Sequence, residues 1–244
     1  MATNAYPQCV APALRADSQS SRWQVRRDAF ERIVGEPAIL SCPATRNTLI
    51  KLQEREDAAS ESVSPDLYED DEYVAYSEAL TSQVQKIAIE TNSQEAWKSL
   101  VSMRYSGDSP YGNWLSLHRG PLPFLIRQLS SRSFARRGTV VEVISLRLFR
   151  SRSAHSGSQS YVPPKQFLYL KSQIRLMAKT DVAFVSQGAC MGLGLIGDKA
   201  DIPLLQSIAD SKDRDPTTRK IALDAIHQIQ GDPRAIFRLR TASE

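Results

Sequence analysis

Apolar residues recur at helical spacing through most of this chain. Over residues 71–90, Val74, Leu80, Val84, Ile87 and Ala88 fall on one stripe. Acids gather in the first turn of that segment, where the positive end of a helix dipole favours them. SQEAWKSLVSMRY at 93–105 opens on Ser93 as N-cap and places Trp97, Leu100, Val101 and Arg104 at helical spacing. PPKQFLYLKSQIRLMA at 163–178 reads as a further amphipathic helix started by prolines. Three polar stretches read as loops: an acidic one at 56–70, SGDSPYGNW at 106–114, and a Ser-rich linker at 150–164, expected to be mobile.

The helical segments share a frame. Val25-Arg26-Arg27-Asp28-Ala29 is followed by Ile33, and Thr218-Arg219-Lys220-Ile221-Ala222 by Ile226. Val185-Ser186-Gln187-Gly188-Ala189 with Leu193 is a third copy, and Ala135-Arg136-Arg137-Gly138-Thr139 with Val143 a weaker fourth. The dipeptide GD at 197–198 recurs at 231–232, each followed by an isoleucine, Ile202 or Ile236. Val185 and Thr218 stand 33 residues apart, and repeats of this length point to units that bury their apolar faces by stacking.

With IGDKADIPLL followed by DPTTRKIALDAI, residues 181–240 resemble the HEAT-like repeat family, in the variety named after phycobilisome lyases. The likeness extends to 120–149, with GPLPFLIRQL as a first helix and 134–149 as its partner. The resemblance implies an all-α fold: a right-handed α-α superhelix, a HEAT-like solenoid of antiparallel helix pairs. It would form a single domain over 1–244, with the 56–70 and 150–164 loops as insertions. It also implies a non-enzymatic scaffold for protein–protein interaction. The alternatives it brings are a nucleic-acid-binding protein with a groove like that of a DNA glycosylase, and a lyase accessory.

One motif competes with this reading. Gly192-Leu193-Gly194-Leu195-Ile196-Gly197 is a literal G-x-G-x-x-G after the run VAFV. A dinucleotide turn needs a strand before it and a helix opening at its third glycine. Here Val185, Ala189 and Leu193 instead share a helical face, and Asp198 and Asp201 would repel a pyrophosphate. The helical reading makes Gly188, Gly192 and Gly194 sites of close helix contact, and has Gly197 end the helix in a left-handed conformation.

Charge refines the picture. The chain has 244 residues and a formal charge of +4, too small to argue for nucleic acid by itself. Its distribution is uneven: residues 54–78 hold ten acids and one base, and 119–152 hold eight arginines and one acid, Glu142. On a helix, Arg136, Arg147 and Arg150 lie within about 60° of one another. Arg136, Arg137, Arg147 and Arg150 are therefore the candidate partner-binding residues, facing an acidic protein or a phosphate backbone. The opposing reading is a face neutralised by the acidic 54–78 segment. The arginines of the repeat frame, Arg26, Arg136 and Arg219, are read as structural, bonding loop carbonyls or an acid of a neighbouring unit. Asp215 is placed to pair with Arg219.

Trp23, Trp97 and Trp114 read as core. The three cysteines, Cys9, Cys42 and Cys190, suggest neither a disulfide framework nor a zinc site, and the three histidines are isolated. No G-x-S-x-G, H-E-x-x-H or Walker A pattern occurs, so no catalytic, metal or cofactor-binding residue is assigned and no cofactor is expected. With no signal-like start and no apolar run near the roughly 20 residues of a membrane span, a cytoplasmic protein is expected.

Overall fold

The computed structural model describes residues 12–36, 42–62, 70–103 and 110–232. Among them there is helix and no strand. The helices fall into two compact units, Met1–Arg104 and Tyr105–Glu244, where the sequence reads as a single domain.

The first unit holds α1 (Pro12–Asp17), α2 (Trp23–Val34), α3 (Pro43–Ser62), α4 (Asp71–Thr91) and α5 (Gln94–Ser102). Helix α4 packs on α2, α3 and α5. Asp70 caps it, accepting from the N–H groups of Glu72 and Tyr73, and Asn92 ends it in the left-handed region at φ 49°. Its buried stripe is Tyr73, Tyr76, Leu80, Val84, Ile87 and Ala88. Val74 is only half-buried, so the stripe opens on two tyrosines instead of the valine. Ser93 caps α5 as expected, and Trp97, Leu100 and Val101 are buried there. Helix α3 runs on to Ser62, so 56–62 is helix and not loop; 63–69, like Arg104 and 106–109, lies outside the described residues.

The second unit holds α6 (Pro110–Leu117), α7 (Leu122–Gln128), α8 (Phe134–Ser151), α9 (Pro164–Ala178), α10 (Ala183–Ile196), a 3-10 turn (Lys199–Asp201), α11 (Ile202–Asp210) and α12 (Pro216–Ile229). Helices α8, α10 and α12 stack in that order. Helix α7 packs on α8, α9 on both α8 and α10, and α11 on α12, while α6 lies against α8. Helix α8 contains the β-branched run TVVEV, yet it is helical because nearly every face is covered. Val140, Val141, Val143, Ile144 and Leu148 are all buried, and burial outweighs the small helix penalty of branched side chains.

The G-x-G-x-x-G segment lies inside α10 and at its end. A Cβ on Gly188 would stand 3.1 Å from the Gly138 carbonyl of α8, and one on Gly194 would stand 3.2 Å from Ala225 of α12. A Cβ on Gly192 would overlap the Ser145 side chain of α8. These glycines let three helices approach closely. Gly197 differs from expectation. Its φ of −70° is open to any residue, and crowding by Leu193, Ile229 and Asp201 excludes a side chain there instead.

Replacing Gly192 by valine is expected to destabilise the protein by about 1–3 kcal/mol through overpacking, despite the roughly 1 kcal/mol that a helical glycine costs. Adding Ser145→Gly to Gly192→Ala should recover stability relative to Gly192→Ala alone. Thermal melts of the single and double variants test this, and purely additive melting shifts would contradict it.

Candidate functional site

The repeat frame has a structural counterpart. Arg26, Arg137, Ser186 and Arg219 are each the fourth residue of their helix. Three of them donate to carbonyls of the chain just before that helix, in the turn or at the end of the preceding helix. Arg26 Nη1 reaches the carbonyls of Ser20 and Ser21 at 2.9 and 3.0 Å. Arg137 Nη1 reaches Ser131 at 2.8 Å, and Ser186 Oγ reaches Ala178 at 2.8 Å. The α8 slot thus belongs to Arg137, one residue beyond Arg136. Arg219 does not pair with Asp215; that carboxylate caps α12 on the Thr218 N–H and accepts from Gln187 of α10.

In the first unit Arg26 meets a buried carboxylate. Glu56 Oε1 accepts from Arg26 Nε and from Tyr76 at 3.0 Å. Its Oε2 accepts from Arg26 Nη2 at 2.8 Å and from Tyr73 at 3.3 Å. Side-chain exposure of the ion pair is 5% and 1%. The Glu56 hydrogen bond is the chief cause that raises the Arg26 pKa against burial. Burial first, then the charge of Glu56, pushes the Tyr76 phenol well above its ordinary value. Each carboxylate oxygen already accepts two bonds, so this cluster acts as a lock between helices.

The four candidate arginines of α8 separate into two pairs about 15 Å apart along the helix. Arg136 and Arg137 stand half-buried in its first turn, with the Arg137 guanidinium 4.9 Å from the centre of the Phe134 ring. Arg147 is wholly buried. Its Nη1 donates to the His118 carbonyl and its Nη2 to Gln159 O at 2.6 Å. Arg150 donates to Asn113 O at 3.1 Å, to the Asn113 side chain and to Ser116 Oγ. Burial, with a push from the charge of Arg119, lowers the Arg147 pKa to about 10; burial also lowers that of Arg150. Burial and the Arg147 charge lower that of His118. The expected basic face of Arg136, Arg147 and Arg150 is therefore corrected. Arg147 and Arg150 point inward onto the carbonyls at the end of α6, where a helix dipole is negative, and onto the 152–163 segment. That segment is pinned, not loose: Gln159 is held by Arg147, and the Val162 N–H donates to Ser151 Oγ at 2.8 Å.

Cations remain at the surface. From Pro110 to Thr180 the sequence has twelve lysines and arginines and a single acid, Glu142. Arg127, Arg132, Lys165 and Lys179 are exposed. Apolar side chains are exposed in the same region: Leu168 at 67%, Leu176 at 55% and Tyr169 at 52%. A groove of about 490 Å³ is lined by Ile126 and Leu129 at the end of α7, by Arg137, and by Tyr169, Leu176 and Met177 of α9.

Trp97 is core, while Trp23 and Trp114 are half-buried in aromatic clusters with Tyr73 and Tyr76 and with Tyr111 and His118. Cys42 is disulfide-bonded, against the reading of the cysteines as unlinked; Cys190 is a free buried thiol, its pKa pushed by burial up to about 11. No group of three or more acidic, His or Cys side chains suited to a metal occurs among the described residues. No described helix is long and apolar enough to cross a membrane. No protein-family model matches the chain, and no curated protein matches it.

Proposed function

We propose that this chain is a HEAT-like α-solenoid that works as a non-enzymatic scaffold and binds another protein of acidic character. The observation that carries the reading is the basic, nearly acid-free Pro110–Thr180 stretch with exposed apolar side chains among its cations. Solvated cations alone fit a phosphate backbone equally well. Exposed leucines and a tyrosine beside them favour a protein, since such patches on soluble domains mark interaction surfaces. The stacking of α8, α10 and α12 supports the solenoid.

The test reverses exposed charges and spares the buried Arg147 and Arg150. Arg127→Glu, Arg132→Glu and Lys179→Glu together should abolish capture of protein partners from nuclease-treated native lysate while leaving helicity intact. Unchanged capture by the triple variant would sink the reading. So would binding of duplex DNA that falls steeply with salt and outcompetes protein capture.

A further inference from the structure

We infer that the groove between α7 and α9 docks an acidic amphipathic helix of a partner protein. The inference rests on the protein-binding reading above and gives it a place and a kind of ligand. On α9, Tyr169, Gln173 and Leu176 follow at spacings of four and three, so they form one stripe along the helix. Tyr169 and Leu176 are more than half exposed, although they stand on a helix whose opposite face, Leu170, Ile174 and Ala178, is fully buried. Across the groove, Ile126 and Leu129 supply the second apolar wall. A helix laid in such a trough presents apolar side chains at i, i+3, i+4 and i+7 and leaves its polar face outward.

Charge selects among helices. Arg127 lies next to Ile126 in sequence, Arg132 close after Leu129 and Ser130, Lys179 just past the end of α9, and all three are exposed. Arg137 stands in the lining itself. From Pro110 to Thr180 the only carboxylate is Glu142, on α8, and the exposed Asp181 just beyond it is paired with Arg214 at 3.4 Å. A partner helix with glutamates or aspartates flanking its apolar stripe gains complementary potential on both sides, and a basic helix is repelled. The groove lies between α7 and α9, whereas Arg147 and Arg150 of the α8 stripe turn inward.

The experiment uses the full chain and a fluorescein-labelled synthetic peptide of about three heptads, with leucines on one face and glutamates on the other. Controls are a scrambled peptide of the same composition and a lysine version. Fluorescence anisotropy should show the acidic amphipathic peptide binding at least roughly tenfold tighter than either control. Tyr169→Asp with Leu176→Asp should weaken it at least roughly tenfold. Both positions are exposed, and circular dichroism with a melting curve verifies that the variant folds. No binding by the wild type, equal binding by the folded variant, or equal binding of the scrambled peptide overturns the inference. A wild-type dimer that the variant dissociates also overturns it, because a second copy would then occupy the groove. In lysate capture, loss with the charge-reversal variant but not with this apolar variant removes the groove and leaves the scaffold reading standing.

Discussion

Replacing Glu56 by glutamine is expected to destabilise the protein by about 3–5 kcal/mol, because it leaves the Arg26 guanidinium buried without its counter-charge. The amide keeps the volume of the carboxylate, so a loss of that size reports charge and hydrogen bonding, not a cavity. It also turns one of the donors near it into a mismatch. Glu56 Oε1 and Oε2 each accept two bonds in the native cluster, and an amide nitrogen at either place faces an Arg26 N–H that cannot accept, whereas the tyrosine hydroxyl beside it can turn round. A domain of ordinary stability holds about 5–15 kcal/mol, so the variant should melt far earlier or accumulate unfolded. Pairing Arg26→Met with Glu56→Leu should recover a large part of the loss, since a buried ion pair is often replaceable by apolar groups of similar volume. The residual cost falls on the Tyr73 and Tyr76 hydroxyls, which lose their acceptor, and on the Ser20 and Ser21 carbonyls, which lose their donor. Denaturant melts followed by fluorescence read it, with Trp23 packed 5.5 Å from the Tyr73 ring as a local probe. An E56Q midpoint matching the wild type would refute the lock.

Helix positions were largely legible because apolar periodicity and caps are local signals. Ser93 caps where its side-chain chemistry puts it, and the small residues of α10 declare close packing. What escaped the sequence was the direction in which polar groups point. Arg147 and Arg150 sit at the right spacing for a basic face, but spacing says nothing about whether the face meets water or a set of carbonyls. Only the placement of α6 and of 152–163 settles that. Glu56 escaped because it lies in an acidic, Ser-containing run that resembles a loop, while its turn of α3 is buried against Tyr73 and Tyr76. Giving the repeat-frame slot to Arg136 was a register slip of one residue, and Ser133 as N-cap moves the slot to Arg137. The apolar stripe of α9 was readable as amphipathic, but which of its two apolar edges stays uncovered depends on the neighbours it meets.

The recurrent GD turn leads to the second large effect. Asp201 is fully buried in its side chain and joins α9 to the turn after α10. Its Oδ1 accepts from Arg175, and its Oδ2 accepts from Lys171 Nζ and from the Asp198 N–H, both at 2.9 Å. Lys171, itself 7% exposed, also donates to Asp198 at 2.6 Å. Burial pushes the Asp201 carboxyl up, but Arg175, the Asp198 N–H and Lys171 outweigh it and hold its pKa below the ordinary 3.8. Lys171 and the Ala200 N–H lower that of Asp198. A depressed folded pKa contributes stability that is present above the unfolded value and lost as pH falls through the folded one. Asp201→Asn is therefore expected to cost about 3 kcal/mol at neutral pH, leaving Lys171 buried with a weakened partner. Below pH 3.8 the wild type should lose stability faster than the variant, and their denaturant midpoints should converge once both carry a neutral side chain at this position. Urea titrations between neutral pH and about pH 2 measure the gap. A gap that is absent at neutral pH, or that stays constant down the acid limb, would show that the Asp201 charge does not hold α9 to the turn.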